Sequence, residues 1–190
     1  MDHLKYAWQI VSENLVGWII FGLVFSIAIS FTGGILILLL PNAIRATRKA
    51  IGANAAPEIG ELFSFDTITD DAIAMVGQFA ANFVGSLLCG IGVLATAPLF
   101  LFAPFVVSEG AYDGVGSLKS TLEHGKANIP GNLIQMLIIG IVLNIVVFFT
   151  LGLGALIATP LALVAFEHFY QEQRPNILAA AQAAQIPEKG

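Results

Sequence analysis

The chain has 190 residues, of which 57% are hydrophobic and only 11% charged, and its mean hydropathy is +0.84. Soluble domains carry about 25% charged residues, and a globule of this mass has no interior large enough to hide so much apolar surface. The composition points to a lipid bilayer and excludes a soluble enzyme, a nucleic-acid binder and a disordered tail, so membrane lipid is an expected partner and nucleic acid is not.

The first element is a lead-in helix over residues 1–14. Leu4, Trp8, Val11 and Leu15 recur at helical spacing, and Tyr6 and Trp8 stand where aromatic side chains favour the membrane interface. The apolar stretch that follows is too long for a signal-peptide core and lacks a small-residue cleavage pattern, so it reads as a retained membrane segment.

The charge map organises the rest. Three blocks carry no charged residue: Asn14–Ile44, Ala72–Ser108 and Ala127–Phe166. One crossing of a ~30 Å hydrocarbon core takes about 20 helical residues, so the second and third blocks are each two crossings long. Each block has a glycine break where a hairpin would turn: Thr32-Gly33-Gly34, Gly90-Ile91-Gly92 and Leu151-Gly152-Leu153-Gly154. A proline follows each break, at Pro41, Pro98 and Pro160. The starts of the first and third blocks also align, NLVGWIIFG (Asn14 to Gly22) with NLIQMLIIG (Asn132 to Gly140).

The expected fold is therefore all-α: a single polytopic transmembrane bundle over residues 15–171, of about six helices in three hairpin repeats (about 15–50, 72–108 and 129–170), with short interfacial helices. A C-terminal tail, 172–190, follows. In this topology all eight Lys and Arg (Lys5, Arg45, Arg48, Lys49, Lys119, Lys126, Arg174 and Lys189) fall on one side, which the positive-inside rule makes cytoplasmic, with both termini there. The first block is short for two crossings. A single tilted helix from Leu15 to Leu40 is the alternative, and it would place Arg45, Arg48 and Lys49 opposite the N-terminus.

Membrane helices associate by close backbone approach and hydrogen bonds. Gly22, Ser26 and Ser30, and likewise Gly154, Ala158 and Ala162, form small-residue stripes that read as packing seams. Asp71, Gln78, Asn82 and Gly85 fall near one helix face, with Met75 and Cys89 continuing it, and Asn144 stands mid-way along a later helix. Gln78, Asn82 and Asn144 read either as interhelical glue or as the polar lining of a solute path. No ionisable residue lies deep in a block, which counts against an ion-coupled transporter.

Between the blocks, Pro57–Asp71 alternates acids with Ile59, Leu62, Phe63, Phe65 and Ile68, the pattern of a short helix in the headgroups. Asp113–Asn128 reads as a linker helix. The alanine-rich tail favours helix but has few large apolar residues with which to dock.

Chemistry is sparse. His3, His124 and His168 are scattered without a metal-binding spacing. Glu109 with Asp113, and Glu167 with His168 and Glu172, read as solvated or ion-paired rim residues rather than as cation sites. Cys89 is the single cysteine and sits in an apolar block, so it reads as a small buried hydrophobe. No nucleophile motif, phosphate loop or intramembrane aspartate pair is present. No catalytic, cofactor-binding or metal-binding residue is expected, and no cofactor.

The run PEIGELF (Pro57 to Phe63), Pro104-Phe-Val-Val-Ser-Glu109, Ser117-Leu118 with Thr121 and Asn128, and GALIATPLALVAFEHFY (Gly154 to Tyr170) resemble a broad group of mostly uncharacterised bacterial integral membrane proteins. That group includes the membrane domain fused to glycerophosphodiester phosphodiesterases. The resemblance spans roughly Glu58 to Tyr170 and departs from the usual pattern where Ser117 stands for an Ala and Thr121 for a Ser. It implies a polytopic bundle of about six helices in a bacterial inner membrane. The phosphodiesterase catalytic domain is absent from this chain, so that activity does not carry over. The expected function is a non-enzymatic membrane protein that self-associates or scaffolds other membrane proteins, with a channel or transporter-like conduit for a small or lipid-like solute as the alternative.

Overall fold

The computed structural model describes residues 2–31, 38–87, 91–150, 152 and 154–189. The expected turn residues 32–34, Gly90, Leu151 and Leu153, and Cys89, lie outside them. Every element among the described residues is helical: α1 (Asp2–Glu13), α2 (Leu15–Phe31), α3 (Leu40–Ala53), a 3-10 turn (Ile59–Phe63), α4 (Ile68–Leu87), α5 (Ile91–Phe100), α6 (Ala103–Glu109), α7 (Gly114–Phe149) and α8 (Ala155–Ala183). They gather into two compact units that interleave along the chain. The first is Met1–Ser64 with Leu137–Tyr170, and the second is Phe65–Met136 with Gln171–Gly190.

In the first unit, α1 meets α2 at 105° across Asn14, as suits a helix lying along an interface before one that enters it. His3, Ala7 and Val11 are buried on α1, at i, i+4, i+8 spacing. Of the stripe read from the sequence, Val11 is in the core and Leu4 and Leu15 pack against it, while Trp8 is exposed.

The chain returns after α2. Ala56, just past the end of α3, sits where a Cβ on Gly17 would strike it, and the Asn14 amide donates to the Asn54 carbonyl at 3.4 Å. The end of α3 therefore lies beside the start of α2, which excludes a single helix running from Leu15 to Leu40. α3 begins with Pro41 in its first turn, where a missing N–H costs nothing, and stops at Asn54 in the left-handed region (φ 49°). Buried Asn42 donates to the carbonyls of Leu62 (3.1 Å) and Ser64 (2.5 Å), tying α3 to the 3-10 turn.

α2 and α8 approach closely at Gly22, where a Cβ would fall 2.9 Å from Pro160 Cδ and 3.3 Å from the Leu156 carbonyl oxygen. Of the two stripes, Gly22, Gly154 and Ala158 are buried, Ser26 and Ala162 are half-buried, and Ser30 is exposed. Gly152, at φ +92°, carries the turn from α7 into α8.

In the second unit, α4 and α5 form a tight hairpin. A Cβ on Gly92 would collide with the Gly85 backbone, and one on Gly85 would meet Thr96 Oγ1. Pro98 weakens α5, which ends at Phe100, and α6 restarts with Pro104 in its first turn. The carbonyl that Pro98 presents at this break accepts a hydrogen bond from buried Asn132 at 3.1 Å. α7 bends at Asn128 (φ −134°, ψ 26°), two residues before Pro130, whose ring and missing N–H disrupt the helical hydrogen bonds of the preceding turn. The expected linker helix is thus the first arm of α7.

The tail docks, contrary to the sequence expectation. α8 continues to Ala183 with Ile177 and Ala181 fully buried. Arg174 Nε donates to Glu109 Oε1 at 2.7 Å, and Lys189 reaches both Asp70 Oδ2 (2.5 Å) and the Ala111 carbonyl (2.8 Å).

Among the described residues two stretches are long and apolar enough to cross a membrane, Gly92–Glu109 and Gly114–Phe149. The bent pair α1 and α2 makes a third if counted as one span.

Candidate functional site

The densest chemistry lies in the first unit, where α1, α3 and α8 converge. Just after the third apolar block, α8 carries Glu167, His168, Phe169 and Tyr170 in succession, so their side chains fan around the helix at about 100° per residue. Glu167 is 2% exposed and would be costly there as a lone charge. Arg48 of α3 meets it with two parallel bonds, Nε to Oε1 at 2.7 Å and NH2 to Oε2 at 3.1 Å. The same guanidinium sits 5.7 Å from the centroid of the buried Tyr170 ring, a distance at which a cation gains from the ring's negative face. Lys49, the next residue, turns outward to Glu61 at 2.5 Å.

One step round α8, His168 Nδ1 lies 2.9 Å from Nδ1 of His3 on α1. Tyr6 stacks on the His168 ring with centroids 4.1 Å apart, and Phe169 stands 5.1 Å from the His3 ring. His3 is 6% exposed. The sequence carries no hint of this pair, since its members are 165 residues apart and neither belongs to a local motif.

The rim acids are occupied by structural partners. Glu109 is held by Arg174 and Glu167 by Arg48, while Asp113 Oδ1 accepts from the Gly116 N–H at 2.6 Å and caps the start of α7. The ion-paired reading of Glu109 and Glu167 is therefore the one the geometry supplies.

The three amides expected to act together do not share a hydrogen bond among the described residues. Asn144 is exposed and donates to the Gly140 carbonyl of its own helix at 2.8 Å. Gln78 and Asn82 lie on the inward side of α4 in the second unit, with Asp71, Met75 and Gly85 buried on that face. The side-chain oxygens of Gln78, Asn82 and Thr96 are buried without a partner.

No family model, curated protein or solved structure matches the chain.

Proposed function

We propose that the protein is a multi-pass integral membrane protein without enzymatic activity, a helical bundle that self-associates or scaffolds other membrane proteins. The observation that carries this reading is the inverted burial of α4. Its polar and small residues (Asp71, Gln78, Asn82 and Gly85) face inward or are half-covered, whereas Phe79, Phe83, Val84 and Leu87 are 55–70% exposed. Water would drive that arrangement the other way round, and hydrocarbon stabilises it. On the second arm of α7, Ile141, Ile145, Phe148 and Phe149 are exposed in the same manner. Apolar faces of this extent are satisfied by lipid or by another helix, so lipid and further copies of the chain are the partners proposed.

The charge distribution supports a bacterial inner-membrane orientation with both termini cytoplasmic, as does the resemblance to bacterial membrane proteins over Glu58 to Tyr170. In a background with Cys89 replaced by Ser, cysteines at Leu87 and Thr150 are expected to label from outside intact cells. Cysteines at Ala55 and Gln182 are expected to label only after permeabilisation, and external labelling of Ala55 would overturn the topology. Self-association is tested by native mass spectrometry from lipid nanodiscs and by cross-linking through Phe83→Cys; a strictly monomeric chain would remove it.

A second reading, a conduit for a small or lipid-like solute, is favoured by one observation, the unpartnered buried oxygens of Gln78, Asn82 and Thr96. Asn144 leaves the proposed lining, because its amide is spent on its own helix. Replacing Asn82 with Leu in reconstituted vesicles is expected to abolish flux under this reading and to leave it unchanged under the first.

A further inference from the structure

We propose that His3 and His168 form a binding site for one divalent late transition-metal ion. The two imidazoles approach through their Nδ1 atoms, 2.9 Å apart. Two nitrogens each about 2.05 Å from one metal ion and at right angles to one another are about 2.9 Å apart, whereas tetrahedral angles require about 3.3 Å. The 2.9 Å separation puts both nitrogens within reach of one ion and is also that of an ordinary N–H···N hydrogen bond, so the donor type rather than the spacing selects the metal. Glu167 is no competing donor, because both its oxygens are held by Arg48.

The donor set excludes the hard cations. Two neutral imidazoles suit Cu, Ni and Zn, while Mg and Ca demand mostly oxygen ligands. The rings are also held in place before any metal arrives. Tyr6 lies against His168 at an interplanar angle of 29°, Phe169 flanks His3, and burial of His3 restricts its rotation. Ring orientation fixed by neighbouring groups is what distinguishes a built metal site from a chance meeting of side chains.

Without metal, two neutral imidazoles share one hydrogen between facing Nδ1 atoms, one donating and one accepting. A metal ion takes the place of that hydrogen. Both Nδ1 lone pairs then point at the ion and the hydrogen moves to Nε2 of the ring that carried it, so neutral histidines bind without net proton release. A metal bridge between His3 and His168 also pins α1 to α8.

The test uses the full chain in lipid nanodiscs, carrying no polyhistidine tag, with Ni(II) as the calorimetric probe and Cu(II) as the spectroscopic one. One equivalent of Ni(II) is expected to bind, with affinity at least tenfold weaker in His3→Gln and in His168→Gln, and unchanged in His124→Gln. Pulsed electron paramagnetic resonance of the Cu(II)-loaded wild type should register two imidazole nitrogens. That count needs no variant, so it decides the matter even where a substitution disturbs folding. No stoichiometric binding, fewer than two imidazoles on Cu(II), or unaltered Ni(II) affinity in both histidine variants would each overturn the site.

Discussion

Arg48 and Glu167 form a two-pronged ion pair in which the acid is nearly inaccessible and the base is not, their side chains being 3% and 27% exposed respectively. Removing either partner takes both bonds from the other, and the more deeply buried group suffers more. Arg48→Ala, which leaves a buried carboxylate, is expected to cost about 3 kcal/mol. Glu167→Gln leaves a guanidinium that water can reach, and should cost less, about 1–2 kcal/mol. The double change Arg48→Met with Glu167→Leu should recover most of the loss. Thermal unfolding in one detergent at constant lipid content measures all three, and equal losses in both single variants would contradict the asymmetry.

At Gly22, α2 and α8 approach closely. A Cβ there meets Pro160 Cδ at 2.9 Å and the Leu156 carbonyl oxygen at 3.3 Å, a ring and a backbone that yield little. Gly22→Leu should therefore lower stability by about 2 kcal/mol through forced separation of the helices. Ser30→Leu, at an exposed position of the same stripe, should change it by less than about 0.5 kcal/mol.

Asn132 bonds the Pro98 carbonyl from a fully buried position. Asn132→Leu should cost about 1–2 kcal/mol, because it leaves that carbonyl unpaired where α5 breaks. Amide hydrogen exchange along α5 and α6 should quicken in the variant while exchange in α2 stays unchanged.

The tail is held in part by Asp70, which precedes the apolar stretch of α4. Its hydrogen bond to Lys189, the N–H of Gly114 and the charge of Lys189 hold its carboxyl below the ordinary value against an opposing desolvation. A carboxyl depressed on folding contributes fully above its unfolded value, near 3.9, and loses that contribution as pH falls through the folded value. Residues 184–189 should accordingly become protease-sensitive below about pH 4, and Asp70→Asn should give the same sensitivity at neutral pH. Resistance of that variant at pH 7 would show that the ion pair does not hold the tail.

The hairpin of α4 and α5 was legible because its cause is local: Gly85 and Gly92 permit a contact that any side chain would block. The seam at Gly22 was signalled by small-residue spacing. Features made by distant residues were not legible. His3 meets His168 across 165 residues, and nothing near either position announces the other. The tail was misjudged because docking rests on two residues, Ile177 and Ala181, plus ion pairs whose partners lie far back in the chain. In α3, Asn42, Arg45, Arg48 and Lys49 make a half-buried amphipathic helix, a character that the absence of charge up to Ile44 did not announce.

The interleaving of the two units also sets an order of events during synthesis. Residues 65–136 lie between the two halves of the first unit, and Glu167 follows Arg48 by 119 positions. At ribosomal speeds of about 5–20 residues per second, roughly 6–24 s separate the emergence of the two charges. For that interval α1, α2 and α3 have no α8 to close against, and Arg48 must wait at the headgroups. Closing so long a loop late is entropically costly and slow, so the nascent N-terminal segment is the stage at which a membrane chaperone has most to protect.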